Sequence, residues 1–351
     1  MFGLDTPVPV VDLDRVERNI AKAQAYCNQH GLALRPHIKT HKLPVLAHKQ
    51  LAAGAVGITC QKISEAAVMA ASGISDILLT YNIVSDSKLP ALTQLIWATE
   101  RLTIALDNDV AVNLAGRAAA QAGRKLDILL EFESGKLRTG VLTPEQALTL
   151  AKTILATKHL NFAGLMTYPV SRASGEWVDR AKTLFHKHDI PIAVFSGGTT
   201  PLMWQAHEVA HLTELRPGTY IYHDRATVAA GAATLDECAL HVHATVVSTP
   251  DNGRAVIDAG SKTLSSDRIP PEYGDGYGLV LEYPEAIITS LSEEHGVLDV
   301  SACQSQPQIG ERVRIVPNHV CVVTNLHDEM IVQRDGVIQG VYPVWARGKT
   351  R

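Results

Sequence analysis

The feature that most constrains this chain is a repeated alternation of short apolar runs with longer amphipathic ones. The apolar runs fall near residues 32–36, 55–60, 76–81, 102–107, 126–132, 161–167, 191–196 and 211–215. Helical spacing occupies the intervals near 43–53, 64–72, 86–98, 109–122, 144–157, 174–187 and 200–209, with one more such segment at 13–29. Runs this short read as buried strands, and strands separated by helices must pair in parallel. Eight such units predict closure into an α/β fold of the (β/α)8 TIM-barrel type, with an open doubly wound sheet as the rival. The segment at 144–157 also carries a start signal, with Thr143 as N-cap, Pro144 at the first helical position and Gln146 to complete a capping box.

After about residue 236 the alternation stops and β-rich runs take over, near 238–248, 254–258, 279–282, 286–291, 312–317, 329–333 and 337–341. Asn252-Gly253 and Asp335-Gly336 each sit between apolar runs, and such pairs supply the φ > 0 residues of a hairpin turn. The expected organisation is therefore a barrel domain over 13–235 and a C-terminal β-rich domain over 236–351, joined by residues 1–12. A barrel usually takes about 250 residues, and the remainder of a 351-residue chain accommodates the second domain.

Charge and composition remove several function classes. The net charge is −4 and the 32 basic residues are spread along the chain, so no basic stripe is available for nucleic acid. No run approaches the length of a membrane span, and the first residues resemble no secretory signal, so a cytoplasmic protein is expected. The five cysteines form no Cys-x-x-Cys pair, which fits reduced thiols better than a disulfide framework.

In a barrel the chemistry sits just past the strand ends. The first strand runs into Arg35-Pro36-His37-Ile38-Lys39-Thr40-His41-Lys42, a cluster able to hold an anion, bind a metal or form an imine with a carbonyl, or simply to be a solvated loop. The fifth leads to Arg138-Thr139-Gly140-Val141, the sixth to Tyr168-Pro169. The seventh leads to Ser196-Gly197-Gly198-Thr199, and the eighth to Arg216-Pro217-Gly218-Thr219. Small residues after strands seven and eight let backbone N–H groups approach a phosphate. Farther on, His319-Val320-Cys321 places an imidazole and a thiol at i and i+2, on one side of an extended segment and so able to converge on one ion.

Taken in order, with Asp258-Ala259-Gly260-Ser261-Lys262, Ser292-Glu293-Glu294-His295-Gly296 and Pro317-Asn318-His319-Val320-Cys321, these motifs resemble the D-threonine aldolase and D-serine dehydratase family, from about residue 5 to 345. That family consists of fold-type III pyridoxal 5'-phosphate enzymes with an alanine racemase-like barrel. The resemblance implies that Lys39 carries the cofactor, its amine kept neutral with help from cations such as Lys42. Arg138 would contact the cofactor's phenolic oxygen. Ser196, Gly197, Gly198, Thr199, Gly218 and Thr219 would form the phosphate cradle, Tyr168 would line the cofactor, and Arg216 would face its pyridine nitrogen.

The resemblance further implies a metal at His319 and Cys321, with zinc favoured by the thiolate and manganese or magnesium as alternatives. The activity implied is cleavage of a D-3-hydroxy amino acid to glycine and an aldehyde. The alternatives are a zinc-dependent D-serine, D-threonine or 3-hydroxyaspartate dehydratase, an amino-acid racemase, and a non-catalytic pyridoxal-phosphate homeostasis protein. Leu43 stands where alanine racemases place a tyrosine, which weakens the racemase alternative, and Pro169-Val170 replaces a His-Gly pair of the aldolases. A homodimer with its active site at the interface is also implied, as is a small-molecule substrate.

Overall fold

The computed structural model describes residues 4–251 and 253–351. The chain divides into two compact units. One comprises residues 22–39, 44–218 and 349–351, the other residues up to 21, 40–43 and 219–348. The first strand, β1 (Val8–Asp12), belongs to the second of these. A 17-residue helix, Leu13–Gln29, follows it.

The barrel unit contains β2 (Ala33–Leu34), β3 (Ile58–Cys60), β4 (Asp76–Leu79), β5 (Arg101–Leu106), β6 (Leu126–Glu131), β7 (Leu160–Thr167), β8 (Val194–Gly197) and β9 (Glu214–Leu215). They form one sheet in the order β2-β9-β8-β7-β6-β5-β4-β3, with neighbouring strands parallel. The ends meet through a parallel bridge between His37 and Thr59 and through the Thr59 N–H, which donates to the Pro36 carbonyl at 2.7 Å. The barrel therefore closes just beyond the two-residue β2. Leu78, Ala105, Leu129 and Met166, from four successive strands, pack into one cluster. Helices Pro44–Ala52, Ile63–Ala71, Leu89–Ala98, Asp109–Ala122, Pro144–Ala156 and Arg172–His186 occupy the expected intervals. The Thr143 capping box is present, whereas 200–209 yields only a 3-10 helix at Met203–Glu208.

The β-unit holds β10 (Leu240–Asp251), β11 (Arg254–Ile257), β12 (Gly278–Val280), β13 (Ile287–Leu291), β14 (Gly296–Asp299), β15 (Arg312–Pro317), β16 (Glu329–Arg334) and β17 (Val337–Pro343). β1 inserts between β10, antiparallel, and β16, parallel, so the chain's first strand is part of this sheet. Asp335 and Gly336 take φ of 48° and 73°, as the β16–β17 hairpin turn requires. Asn252 of the other expected turn lies outside the described residues. Apolar pattern did not reveal β14 or the short helices Arg225–Ala229, Ser261–Leu264 and Val320–Leu326. Among the described residues, no helix is long and apolar enough to cross a membrane.

Candidate active site

The candidate residues form two sets, one in each unit. In the barrel unit, Lys39 lies in a 3-10 turn just past β2 and is half-buried. Its backbone N–H points at His37 Nδ1 at 3.4 Å, while His37 Nε2 lies 3.1 Å from Gln61 Oε1 and 3.5 Å from Thr80 Oγ1. The Gln61 amide also donates to the Thr80 carbonyl, so its oxygen is the atom left for His37. A proton on Nε2 and a lone pair on Nδ1 suit both of these contacts, and His37 acts as a strut under Lys39.

The Lys39 Nζ stands 5.9 Å from the centre of the Tyr168 ring, and the Arg138 guanidinium 5.0 Å from it. The structure thus brings Lys39, Arg138 and Tyr168 around one phenol. Arg138 is anchored from below by Glu131, at the end of β6. That carboxylate accepts from Thr139 Oγ1 at 2.9 Å and lies 3.8 Å from Arg138 Nη2, and burial raises its pKa. The cation expected beside Lys39 was Lys42. It has another role: its ammonium donates to the Ala346 carbonyl at 3.2 Å, and Arg138 is the cation that shares the Tyr168 ring with Lys39.

Ser196 and Gly197 are in β8 itself, and their side-chain space is already used. The Ser196 hydroxyl donates to Glu214 Oε1 at 2.6 Å and accepts from Arg216 Nε at 2.7 Å. A Cβ on Gly197 would come within 2.7 Å of Val170 and 2.8 Å of Leu212, so glycine is demanded there by packing. Gly198 and Thr199 differ, for both are buried and, among the described residues, neither N–H finds a protein acceptor. Buried donors left over in this way mark a place for an anion. A Cβ on Gly198 would also press to 3.2 Å from the Tyr168 ring and 3.3 Å from the Arg216 carbonyl. Arg216 is buried, with Nε on Ser196 and Nη2 on the Thr167 carbonyl at 2.8 Å. Gly218 ends the barrel unit and Thr219 begins a 3-10 turn of the β-unit.

The β-unit set centres on Asp224, which sequence reasoning missed. Its fully buried carboxylate accepts from the Thr227 N–H at 2.9 Å, capping the helix Arg225–Ala229, and from the Val320 N–H at 3.2 Å. It also holds His319 Nδ1 at 3.0 Å. The signal was Asp224-x-x-Thr227, a capping box. Asn318 fixes the preceding residue by donating to the Asp267 and Gly276 carbonyls, both at 2.9 Å.

The segment expected to be extended is so only at His319. Val320 opens the helix Val320–Leu326 and Cys321 lies in its first turn, because Asp224 captures the Val320 N–H and starts the helix there. Imidazole and thiol nevertheless interact. Burial opposes charge on His319, but the Cys321 thiolate and the Asp224 hydrogen bond outweigh it and push its pKa up to about 11. Thr40 Oγ1 lies 3.2 Å, and Thr219 Oγ1 4.0 Å, from the Cys321 sulfur. Among the described residues no group of three or more His, Cys, Asp or Glu is arranged to hold a metal ion. The available donors are the second nitrogen of His319 and the sulfur of Cys321. His295 sits in an exposed turn, and His327 Nδ1 is 2.8 Å from the Val323 carbonyl.

Residues 11–226 match the family model of the alanine racemase N-terminal domain, and residues 239–333 that of the serine dehydratase domain. A D-threonine aldolase of Arthrobacter sp. is 34% identical, over 99% of this chain and 94% of its own length. The crystal structure of D-threonine aldolase from Filomicrobium marinum superimposes with a TM-score of 0.90 at 31% identity, covering 99% of this chain and 97% of that one. D-threo-3-hydroxyaspartate dehydratase from Delftia sp. HT23 gives 0.86 at 29% identity, covering 97% and 98%. Solved variants of that dehydratase replace a histidine and a cysteine two positions apart, the cysteine variant in a metal-free form.

Proposed function

The chain belongs to the alanine racemase-like family that carries a serine dehydratase domain, and we propose that within it this protein is a lyase of D-3-hydroxy amino acids of the D-threonine aldolase type. Pyridoxal 5'-phosphate and a divalent metal, zinc by preference, are the proposed cofactors. One observation carries the reading: Cys321, paired with His319, lies 3.2 Å from the hydroxyl of Thr40, the residue bonded directly to Lys39.

The residues present fit both groups. For a phosphorylated cofactor there are the unclaimed N–H groups of Gly198 and Thr199, the cations Arg138 and Arg216, and the Lys39 amine for attachment. For a metal there is an imidazole whose Nδ1 is held by a buried carboxylate, the arrangement that orients metal-binding histidines, and a thiolate that favours zinc. Two protein ligands leave open positions, as a metal acting on substrate requires.

When bound, pyridoxal phosphate supplies an electron sink for the bond broken at Cα, and the metal a Lewis acid for the β-hydroxyl. His37 fixes the backbone of Lys39, whose Nζ is free of carboxylate partners among the described residues and can take up and return a proton. Arg138 and Tyr168 wall the same space. Arg216, held by Ser196 and Thr167, presents a positive charge and discourages a proton on any basic nitrogen opposite. Asp224 accepts from His319 Nδ1, which leaves Nε2, the nitrogen turned to Cys321, as the one that would give up its proton to a metal. The Thr40 and Thr219 hydroxyls lie where they can donate to the Cys321 thiolate.

A second reading, dehydration to a keto acid and ammonia, is favoured by the cysteine itself, since a dehydratase among the relatives has a histidine and a cysteine at the same spacing. The test is one reaction with D-threonine, protein loaded with both cofactors, followed for aldehyde, ammonia and enantiomer. Glycine and acetaldehyde are expected. Ammonia with a keto acid would select the dehydratase, and inversion alone would overturn the lyase reading.

A further inference from the structure

We propose that the loop over residues 267–276 is a strap whose closure is coupled to metal binding at His319, so that the ion and the closed loop stabilise each other. One side chain clasps both ends of the loop: the buried Asn318 amide donates to the carbonyls of Asp267 and Gly276, both at 2.9 Å. Arg225 completes the clasp, its Nη1 donating to the Asp275 carbonyl at 2.6 Å and to Asn318 Oδ1 at 3.2 Å. The return leg of the loop is shaped around that guanidinium. Gly274 takes φ of 128°, and a Cβ there would lie 2.6 Å from Arg225 Nη2. Between the clasped ends the loop has little of its own to hold it. Ile269 is the only buried residue of 267–276, while Arg268, residues 270–273 and Asp275 are exposed. A segment with so few buried contacts opens at small free-energy cost, and the clasp decides whether it is closed.

The clasp is built on the residues next to the His319–Asp224 pair. Arg225 directly follows Asp224, and Asn318 directly precedes His319. The Ala226 N–H donates to the Asn318 carbonyl at 3.3 Å and the Val320 N–H to the Asp224 carboxylate at 3.2 Å, so the two backbones are tied on either side of the imidazole. All of these residues belong to the β-unit. His319 is thus joined to the loop by two routes, along the chain to Asn318 and through the Asp224 carboxylate to Arg225. An ion on the second nitrogen of His319 immobilises the imidazole and, through it, both clasp residues. Less order then remains to be lost when the loop closes. Linkage makes the effect reciprocal: the factor by which metal favours the closed loop is the factor by which the closed loop favours metal.

The inference rests on the proposed metal at His319 and Cys321, and the experiment separates the two. Protein loaded with pyridoxal phosphate is stripped of metal and titrated calorimetrically with zinc. Hydrogen–deuterium exchange of the peptides covering 267–276 is followed with and without saturating zinc. In the wild type, zinc should slow exchange of the loop about fivefold or more, the low end of ordinary coupling between sites. Asn318→Ser and Arg225→Met open the clasp from its two sides. Each should exchange the loop faster without metal, lose most of the slowing by zinc, and bind zinc more weakly by up to that same factor. His319→Ala should abolish the effect of zinc on the loop, and an undiminished effect in that variant overturns the coupling. Zinc bound by the wild type with loop exchange unchanged also overturns it and leaves the metal assignment standing. A clasp variant that binds zinc weakly yet shows the full slowing at saturation overturns it too, because the defect then lies at His319 itself. No zinc uptake by the wild type overturns the metal and the coupling together.

Discussion

Asp224→Asn separates the folding role of this carboxylate from its role at His319. In the native protein Asp224 is fully buried and accepts three hydrogen bonds, from Thr227 N, Val320 N and His319 Nδ1. Asparagine keeps the size and one acceptor oxygen, so the cap on the helix Arg225–Ala229 can survive. With the cap kept on Oδ1, the amide's NH2 takes the place of Oδ2, which in the native protein accepts from both the Val320 N–H and His319 Nδ1. Opposite an N–H donor, the imidazole has to place its proton on Nε2, the nitrogen needed for a metal. Loss of such a partner costs about 10–100-fold in metal affinity. The stability cost should be about 1–3 kcal/mol, that of one buried donor left short of an acceptor. Asp224→Ala removes all three acceptances, including a cap worth about 0.5–2 kcal/mol, and should cost roughly 3–5 kcal/mol. Zinc competition with a chromophoric chelator gives the affinity, and urea unfolding of metal-free protein gives the stability. Unchanged zinc affinity in a folded Asp224→Asn protein would refute the argument that Asp224 sets the tautomer of His319.

Four further outcomes are expected. Cys321→Ala should lower metal content and turnover together while the cofactor stays bound, and metal affinity in the native protein should weaken as pH falls, because His319 and Cys321 must both be deprotonated to bind; metal analysis and turnover across pH check this. Lys39→Ala should abolish covalent attachment of pyridoxal phosphate, and borohydride reduction with peptide mapping that labels Lys42 or Lys62 instead would contradict the assignment. Burial, aided by nearby arginines, lowers the pKa of His241 to about 3, so its contribution to stability is complete above the unfolded value of about 6.5 and is lost as pH falls toward 3. At pH 5 the loss is about 2 kcal/mol, and His241→Gln should flatten the decline of urea stability between pH 7 and 5. Gly197→Ala, whose Cβ would meet Val170 at 2.7 Å, should destabilise by about 1–3 kcal/mol in urea unfolding.

What could be read from the chain alone was whatever local pattern determines. Most barrel strands and flanking helices are written in their own apolar spacing, with 200–209 the exception, and the Pro9-containing β1 pairs within the β-unit with which the chain's start was grouped. The residues past the strand ends were legible because barrel topology fixes where they go. What stayed hidden depends on partners distant in sequence. Asp224 looks like an ordinary cap until His319 is beside it, and the helix start at Val320 depends on that same carboxylate. Lys42 looked like a neighbour of Lys39 by spacing, but the Ala346 carbonyl claims it. Ser196 belongs by sequence to a glycine-rich turn, but Glu214 and Arg216 draw its hydroxyl into the barrel interior.

The position of β1 has a consequence for how the protein is made. Val8–Asp12 pairs with Leu240–Asp251 on one side and Glu329–Arg334 on the other, so neither neighbour exists while the barrel strands leave the ribosome. At about 5–20 residues per second, β1 waits on the order of ten seconds or more before its first partner is synthesised. During that time Val8, Val10 and Val11 offer an unpaired apolar edge, the kind of surface that chaperones bind and that seeds aggregation. Pro7 and Pro9, which cannot donate to a β ladder, make the waiting segment a poorer template for a stray strand.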